Sequence, residues 1–252
     1  GLLKEGGMLV EPSAGNMGVS LAMVAAAKGY KLHVFMPEGV PLERRRLVAR
    51  YGAEMHLTPS HMGMAGATGA AKRMLDRNGG SVRLDQFTSQ AAVQAHYDGT
   101  GAEILAALDG AVDAFVAGVG TGATLVGAGG ALRRATPSVS LIAVEPSTSP
   151  LLSEGKAGEH GIPGIGADFV PPLLDRAMVS EVATVSTEDA IATAIRIARE
   201  TGLLVGISSG ANVAAALRIA QRLGSGKRVV TVLPDTGERY PHLAAELRVL
   251  NR

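Results

Sequence analysis

Three short stretches of small residues in this sequence could bind a ligand. They read "SAGNMG" (13–18), "GVGTGAT" (118–124) and "GISSGA" (206–211), and each follows an apolar run and precedes a helical pattern. Small residues let a ligand approach the backbone, and the N–H groups at a helix start attract anions. The three turns therefore predict ligand contacts at the carboxyl ends of strands, where open α/β sheets bind small molecules.

The first and third stretches each contain side chains with two possible uses. The amide of Asn16 can donate a hydrogen bond to a ligand oxygen, or Asn16 can cap the helix that follows it. Capping is the more common use of an asparagine at this place, and both uses stay open. In the third stretch, one of Ser208 and Ser209 is expected to cap the next helix, and the other could face a ligand.

The second stretch predicts an anion site. Its successive N–H groups form a concavity that suits a phosphate, and its threonines add hydroxyl donors. The spacing of Gly118, Gly120 and Ala123 also fits the loose dinucleotide-binding fingerprint, and Glu145 follows at about the spacing of a ribose-binding acid. A P-loop lysine is missing from the stretch, so a nucleoside triphosphate is not the expected ligand.

The elements that must position these turns alternate along the chain. Short β-rich runs alternate with alanine-rich helical patterns, which is typical of a parallel sheet covered by helices. The sequence therefore predicts an α/β fold. The predicted strands are 8–10, 32–36, 54–57, 114–118, 141–144, 179–185 and 228–233. The predicted helices include 19–27, 42–51, 188–200 and 211–223.

Two features interrupt this alternation. Residues 155–172 are rich in glycine and proline and are predicted to form a surface or site-lining loop. A short polar stretch near Phe87 separates two runs of alternating units, so a domain boundary is predicted there. The helix at 188–200 is expected to begin at a cap on Ser186 or Thr187 and to end at Gly202.

Composition limits the class of partner. The chain has 252 residues, 46% of them hydrophobic, and its 24 basic side chains nearly balance 23 acidic ones. No bulk charge favours nucleic acid or an anionic membrane, so a small molecule is the expected partner. The sequence has no cysteine, which excludes disulfides and thiolate ligands, and no metal site is predicted. No signal peptide or membrane span is apparent, and a cytoplasmic location is the default expectation.

The three turns and five further stretches together resemble the cysteine synthase (O-acetylserine sulfhydrylase) family of pyridoxal-phosphate enzymes. The likeness implies fold type II, the tryptophan synthase β-like fold, with two three-layer α/β parallel-sheet domains. It implies a small domain with the asparagine loop at 1–87 and a large cofactor-binding domain at 88–252. The further stretches are "MPEGVPLERRRLVARYGAEMHLT" (36–58), "QF" (86–87), "VEPSTSP" (144–150), "GIGADF" (164–169) and "LPDTGERY" (233–240).

The resemblance implies a role for each site residue. Asn16 corresponds to the asparagine at the phenolic oxygen of pyridoxal 5'-phosphate, and Ser208 to the serine at its pyridine nitrogen. The implied phosphate contacts are Gly120, Thr121, Gly122, Ala123 and Thr124. The implied substrate contacts are Ser13, Ala14, Gly15, Met17, Gln86 and Gly164. Because Glu145 lies within the family's own "VEP" segment, the resemblance weighs against a dinucleotide.

The resemblance also implies a reaction and partners. The family is a group of transferases in cysteine biosynthesis that replace the leaving group of an O-activated serine, such as O-acetylserine, with sulfide. A homodimer is the implied assembly, and serine acetyltransferase is a possible implied partner that binds through its C-terminal tail.

The sequence departs from the family pattern in front of the asparagine loop. The family's Schiff-base lysine lies N-terminal to that loop, and none of the lysines here, at 4, 28, 31, 72, 156 and 227, occupies its position. No catalytic residue is therefore assigned. The chain is expected to be an N-terminally truncated piece of an active parent, or else a natural short homologue that binds a ligand or partner without catalysis. Lys4 is expected to be a solvated surface group.

A second departure lies within the loop. The usual family pattern there is Thr-Ser-Gly-Asn-Thr-Gly, so Ala14 and Met17 each replace a hydroxyl residue. A hydrogen bond to a charged group is worth about 1.5–3 kcal/mol. We therefore expect weaker binding of O-acetylserine, and a different substrate or no activity are the two alternatives that follow.

Overall fold

The chain forms two compact units in a computed structural model that describes residues 3–240. Unit 1 comprises Gly1–Gln86 and unit 2 comprises Phe87–Arg252. Each unit contains its own parallel sheet with helices packed on it.

Unit 1 is a three-stranded parallel sheet with the strand order β1-β2-β3. Three helices cover it, and β1 leads directly into the first of them through the asparagine loop. In chain order the elements are β1 (Met8–Pro12), α1 (Asn16–Lys28), β2 (Lys31–Pro37), α2 (Leu42–Arg50), β3 (Glu54–Thr58) and α3 (Gly63–Arg77).

The alternation of side chains along β2 divides the core of unit 1 between the two faces of the sheet. Val34 and Met36 pack in one buried cluster with side chains of α1 and α2. Phe35 packs on the opposite face with Ala67 and Ala71 of α3. Successive strand residues point to opposite faces, so this short sheet is buried between two layers of helices.

Unit 2 is a four-stranded parallel sheet with the strand order β6-β5-β4-β7. Its strands are β4 (Ala114–Gly118), β5 (Ser140–Pro146), β6 (Glu181–Val185) and β7 (Val229–Thr231). Its helices are α4 (Gln90–Ala95), a π-helix (His96–Gly101), α5 (Ala102–Ala107), α6 (Ala123–Ala135), α7 (Leu151–Glu154), α8 (Thr187–Thr201) and α9 (Ile207–Leu223).

The central strands of unit 2 are buried on both faces. Val116 and Ile142 pack with α8 and α9, whereas Phe115 and Leu141 pack with α6 on the other side. A strand covered on both faces reads as a continuous apolar run. The predicted parallel α/β architecture is confirmed.

The seven predicted strands are all present; β4 has its predicted bounds, and the others have shifted ends. The strand predicted at 179–185 begins at Glu181, and the one predicted at 228–233 is only Val229–Thr231. Ser186 caps α8 by accepting the N–H of Asp189 at 3.0 Å, and Gly202 ends this helix in the left-handed region. Residues 155–172, all of which the structure describes, contain no helix or strand, as predicted.

No helix within residues 3–240 has the length and apolar character that crossing a bilayer requires.

Candidate functional site

The asparagine loop of unit 1 is held by Ser13. This residue is 3% exposed, and its Oγ accepts the N–H of Gly18 at 2.9 Å and, more weakly, the N–H of Gly15 at 3.4 Å. Its own N–H donates to the carbonyl of Phe35 at 2.9 Å, which joins the loop to β2. Ser13 therefore satisfies the first turn of α1, and its hydroxyl hydrogen is still able to donate to a ligand.

Asn16 does not cap α1. The N-cap position is Gly15, and Asn16 is the first helical residue. The interpretation of Asn16 as a capping residue is wrong, because Ser13 occupies the acceptor role from two residues before the cap. A Cβ added to Gly15 would meet no atom within 4 Å, so the space beside the loop is open there.

The two residues that depart from the family pattern are used for packing. Ala14 and Met17 are partly buried against the core cluster of α1 and β2. The carbonyl of Ala14 also accepts a hydrogen bond from Nη1 of Arg44 at 2.8 Å, which anchors the loop to α2. Neither side chain offers a polar atom to a ligand.

A buried acid that the sequence reasoning missed supports the segment before Gln86. Glu11 is 2% exposed, and its Oε2 accepts the N–H groups of Leu84 at 3.1 Å and Asp85 at 3.3 Å. Burial raises the pKa of the Glu11 carboxyl, and the two backbone donors and the charge of Arg83 oppose this shift. The signal in the sequence was an acid inside the apolar strand "MLVEP".

In unit 2 the turn after β4 presents free backbone donors at a helix start. The amides of Gly120, Thr121 and Gly122 meet no acceptor among residues 3–240. Gly122 has φ +85° and occupies the N-cap position of α6, which runs for 13 residues. Unpaired amides together with a helix N-terminus favour an anion.

A buried asparagine fixes this turn. Oδ1 of Asn212 accepts the N–H of Gly118 at 2.7 Å, and its Nδ2 donates to the carbonyl of Val232 at 2.9 Å. Asn212 is fully buried on the first turns of α9. It therefore links the end of β4 to α9 and to the chain after β7, a role that the sequence reasoning did not predict.

The glycine-rich loop at 164–166 closes over the same turn. The N–H of Gly166 donates to the carbonyl of Val119 at 3.0 Å. A methyl group on Gly120 would overlap the carbonyl oxygen of Gly164, so these two backbones can approach only because residue 120 has no side chain. The structure thus brings together two stretches that the sequence analysis had singled out separately.

Ser208 completes this cluster. It is 4% exposed, and its hydroxyl has no hydrogen-bond partner among residues 3–240. A Cβ placed on Gly164 would lie 3.9 Å from its Oγ. Ser209 instead points to the carbonyl of Asp235, at 3.5 Å. The prediction that one of these serines caps α9 is wrong, because the N-cap residue is Gly206.

The two threonines of the turn have different hydrogen-bond partners. Oγ1 of Thr121 accepts the N–H of Ala123 at 3.3 Å and retains its hydroxyl hydrogen. Oγ1 of Thr124 lies 3.1 Å from Nε2 of His96, whose Nδ1 lies 3.0 Å from Oγ1 of Thr100. Burial lowers the pKa of His96, which favours the neutral ring. Its tautomer therefore determines whether the hydroxyl of Thr124 is free to donate to an anion.

Glu145 has a structural partner and is not a ribose-binding acid. Its Oε2 accepts the N–H of Leu152 at 2.6 Å, and its Oε1 accepts the N–H of Ser153 at 3.0 Å and the hydroxyl of Ser153 at 2.6 Å. The carboxylate is 2% exposed and holds the start of α7. The dinucleotide interpretation of the turn is therefore wrong.

Comparison with known proteins shows the family of the chain. The family model described as "Pyridoxal-phosphate dependent enzyme" matches residues 2–235. Cysteine synthase B of Campylobacter jejuni is 47% identical over 232 residues, which cover 92% of this chain and 77% of that protein. A cysteine synthase of Staphylococcus aureus is 45% identical over 241 residues, covering 95% and 77% respectively.

Solved structures show the same relationship. O-ureido-L-serine synthase superposes with a TM-score of 0.91 at 42% identity and covers 95% of this chain and 76% of its own. Cysteine synthase from Entamoeba histolytica superposes with a TM-score of 0.92 at 35% identity and covers 97% and 72%.

The chain belongs to the family of pyridoxal-phosphate dependent enzymes and has their fold type II. Within that family it is a member of the cysteine synthase group, and its cofactor is pyridoxal phosphate.

Proposed function

We propose that this protein is a cysteine synthase-type enzyme that replaces the O-linked group of an activated serine with sulfide. The relatives at 45–47% identity are named for that synthesis. The observation that carries the proposal is the cluster in unit 2, where the unpaired amides at a helix start and the hydroxyl of Ser208 both lie near the backbone of Gly164.

The residues of unit 2 fit the cofactor. The amides of Gly120, Thr121 and Gly122 are oriented donors without acceptors, which suits a phosphate group at the start of α6. The hydroxyl of Thr121 and the backbone of Ala123 and Thr124 extend this set of contacts. We assign these residues, 120–124, to the phosphate.

Ser208 is assigned to the pyridine nitrogen of the cofactor. The hydroxyl of Ser208, which has no hydrogen-bond partner among residues 3–240, can donate to, or accept from, a ring nitrogen, and it leaves that nitrogen without a permanent charge. When bound, the cofactor would supply an electron sink for the electrons left on the α-carbon of the substrate when its proton is removed. A neutral partner at the nitrogen makes that sink a mild one, which suits elimination from the β-carbon.

In unit 1 we assign Asn16 to the phenolic oxygen of the cofactor. An asparagine amide carries two N–H donors, which suits a negatively charged oxygen, and Ser13 rather than Asn16 accepts the N–H of Gly18 in the first turn of α1. The small residue Gly15 leaves open space beside the loop, so a flat ring can approach the backbone.

The substrate carboxylate is assigned to the same loop and to two further residues. Ser13 can donate its hydroxyl hydrogen to the carboxylate, and Gly15, which has no side chain, lets the carboxylate approach the loop backbone. Ala14 and Met17 belong to the loop but bring no hydroxyl, so we infer weaker binding of O-acetylserine than the usual loop would give. The remaining assigned contacts are Gln86 and Gly164.

Glu11 helps to place Gln86. Its carboxylate holds the backbone of Leu84 and Asp85, immediately before that glutamine. Asp85 has φ +46°, an uncommon conformation for a residue with a side chain. The two hydrogen bonds that the buried acid accepts offset the cost of this turn and fix the direction in which the chain reaches Gln86.

A homodimer and a cytoplasmic location are also proposed, together with a possible association with serine acetyltransferase. Size-exclusion chromatography with light scattering tests the dimer. Titration with a peptide ending in a free carboxylate tests the partner, since such a tail would compete with the substrate carboxylate. A tail that does not displace substrate contradicts this association.

The activity test uses the native gene product with pyridoxal phosphate, sulfide and either O-acetylserine or O-phosphoserine, and measures cysteine formed. Ser208→Ala and Asn16→Ala are expected to lower turnover, whereas Ser20→Ala, an exposed serine on α1, is the matched control. Cysteine formation that is absent with both substrates, or that is equal in Ser208→Ala and the control, contradicts the proposal.

A covalent test concerns the chain as given. Its lysines at 4, 28, 31, 72, 156 and 227 are assigned no contact with the cofactor. Residues 1–252 incubated with pyridoxal phosphate and then with borohydride are expected to show no reduced adduct by mass spectrometry. A stoichiometric adduct on one of these lysines contradicts that assignment.

A further inference from the structure

Two neighbouring strands of unit 1 carry a cluster of metal-ligand side chains that no part of the proposed function uses. His33 lies on β2, and Glu54 and His56 lie on β3. The parallel register pairs His33 with Glu54 and Phe35 with His56. Since residues two apart on a strand share a face, all three ligand side chains stand on the same face of the sheet.

We propose that His33, Glu54 and His56 bind one divalent transition-metal ion of the zinc class. Nδ1 of His33 lies 2.9 Å from Nε2 of His56. The carboxylate of Glu54 spans the pair, with Oε2 at 3.6 Å from His33 Nδ1 and Oε1 at 3.4 Å from His56 Nε2. One ligand atom from each side chain lies within 4.8 Å of the others, and no other such group occurs among residues 3–240.

The donor types select the class of ion. Imidazole nitrogen suits Zn²⁺, Co²⁺, Ni²⁺ and Cu²⁺, whereas Mg²⁺ and Ca²⁺ prefer oxygen-rich sites. Two histidines and one glutamate form a ligand set that proteins use for Zn²⁺ with a fourth position open to water. The cluster is therefore complete as a three-ligand site without any contribution from a partner.

The distances require only a small adjustment around an ion. With bonds of about 2.0–2.1 Å, two tetrahedral nitrogen ligands lie about 3.4 Å apart. The nitrogen–oxygen separations of 3.4 and 3.6 Å already match such an arrangement. The two nitrogens, at 2.9 Å, subtend about a right angle at an ion with these bond lengths, so they fit an octahedral ion directly and a tetrahedral one after separating slightly.

The rings are pre-oriented and reachable. The ring of His56 stacks on Phe35 with centroids 4.5 Å apart and planes 14° apart, and Phe35 is buried. The side chains of His33 and His56 are 13% and 27% exposed, and that of Glu54 is 65% exposed, so an ion can enter from solvent.

A simple hydrogen bond between the two imidazoles is the competing account. In that case one ring nitrogen donates a proton to the other, and Glu54 only adds an exposed ion pair. In the metal account, the ring that carries the shared proton holds it on its other nitrogen instead, which frees both facing nitrogens to bind the ion. Both nitrogens and the carboxylate of Glu54 then coordinate the same metal ion.

The ion would cross-link β3, at the edge of the sheet, to β2. β3 is the last strand in the order β1-β2-β3, and the ligands come from β2 and β3. Because an ion that binds the folded state stabilises it by mass action, occupancy is expected to raise the melting temperature of unit 1. The inference is independent of the proposed catalytic function, since none of its residues is assigned to cofactor or substrate.

The test is a titration of the chelator-treated native gene product with Co²⁺, followed by its visible absorption, and with Zn²⁺, followed by calorimetry. One ion per chain is expected. Glu54→Gln and His56→Asn are each expected to weaken metal binding by more than about tenfold. Replacing a residue that only hydrogen-bonds to a metal ligand already lowers metal affinity about tenfold or more, and these two residues are ligands themselves. Glu54 is exposed, so its replacement leaves folding intact and keeps the test independent of stability.

His61→Asn, at an exposed histidine of the same unit, is the matched control, and His242→Asn controls for a histidine outside the described residues. Both are expected to bind the metal like the unmodified protein, and Zn²⁺ is expected to raise the melting temperature in these controls but not in Glu54→Gln. Equal affinity in Glu54→Gln, His56→Asn and the controls, or no Co²⁺ spectrum at all, overturns the proposal. Cysteine synthase activity does not enter either readout.

Discussion

The turn after β4 in unit 2 and the loop after β1 in unit 1 look alike in the sequence but use their glycines differently. A methyl group on Gly120 would overlap the carbonyl of Gly164, and one on Gly118 would lie 2.6 Å from Cγ2 of Ile165. A methyl group on Gly15 would meet no atom within 4 Å. The first set of glycines is required by packing within unit 2, and Gly15 is not required by packing at all.

This difference shows that folding stability and ligand binding are coupled in the turn of unit 2 and can be separated in the loop of unit 1. In unit 2, a change that disturbs the phosphate contacts also disturbs the junction of β4, the 164–166 loop and α9. In unit 1, Gly15 can be changed without a clash, so a loss of binding there would report on the ligand directly. Substitutions in the two regions should therefore divide into two groups.

The largest effect is expected from Asn212→Ala in unit 2. The substitution leaves the N–H of Gly118 and the carbonyl of Val232 without their buried partner. Each unsatisfied group costs about 1–3 kcal/mol, so the free energy of unfolding should fall by about 2–6 kcal/mol. Urea unfolding measures it, with Gln221→Ala on the exposed face of α9 as the control. An equal loss in both variants would contradict the role given to Asn212.

The next effect is expected from Gly120→Ala. Overpacking of this kind costs about 1–3 kcal/mol, because the methyl group must displace the backbone at Gly164. Gly15→Ala is the matched variant, and its free energy of unfolding should change by no more than about 0.5 kcal/mol. In cofactor titrations both variants should bind more weakly than the unmodified protein. If Gly120→Ala and Gly15→Ala lowered the free energy of unfolding equally, the proposed difference between the turn of unit 2 and the loop of unit 1 would be contradicted.

A smaller loss of stability is expected from Ser13→Ala. The buried hydroxyl oxygen accepts the N–H of Gly18 in the first turn of α1, and loss of such a cap costs about 1 kcal/mol. Ser20→Ala, at an exposed position on the same helix, should be neutral. Thermal unfolding of both variants measures this difference, and a neutral Ser13→Ala would mean that the loop is not held as the structure indicates.

The smallest effect is a dependence on pH that belongs to Glu11. Since burial raises its pKa in the folded state, the folded state binds more protons than the unfolded one above about pH 4.5. The contribution of Glu11 to stability is therefore full below that pH and is lost as the pH rises through its folded pKa. Glutamine does not titrate, so the stability difference between the unmodified protein and Glu11→Gln should shrink over this range.

Urea unfolding at a series of pH values measures the Glu11 effect. Glu5→Gln, at an exposed acid of unit 1, is the control and should give a nearly constant difference. Parallel curves for Glu11→Gln and the unmodified protein would show that the carboxyl of Glu11 does not change its protonation on folding.

The sequence predicted the features that depend on local patterns. Buried parallel strands such as β4 and β5 are continuous apolar runs, and the three turns are marked by glycine. The start of α8 was predicted correctly, because Ser186 and Asp189 lie three residues apart in a capping arrangement. Helix α3 was not among the predicted elements, and its first half is largely glycine and alanine.

The sequence could not show hydrogen bonds between residues that lie far apart along the chain. Asn212 contacts Gly118 across 94 positions, and Glu11 contacts Leu84 across 73. No local pattern connects such residues, and both read as isolated polar residues. His96 was missed for the same reason, because its contact with Thr124 depends on a π-helix packing against the glycines of α6. The capping roles given to Asn16 and the α9 serines failed because glycines occupy both N-cap positions.

The central claim is that the free amides of Gly120, Thr121 and Gly122 bind the phosphate of the cofactor. A crystal structure of the native gene product with pyridoxal phosphate tests it most directly. The account predicts phosphate oxygens within about 2.7–3.2 Å of these three nitrogens, which is the range of an N–H to oxygen hydrogen bond. A phosphate held elsewhere, with the three amides bonded to water or to protein, would contradict the account.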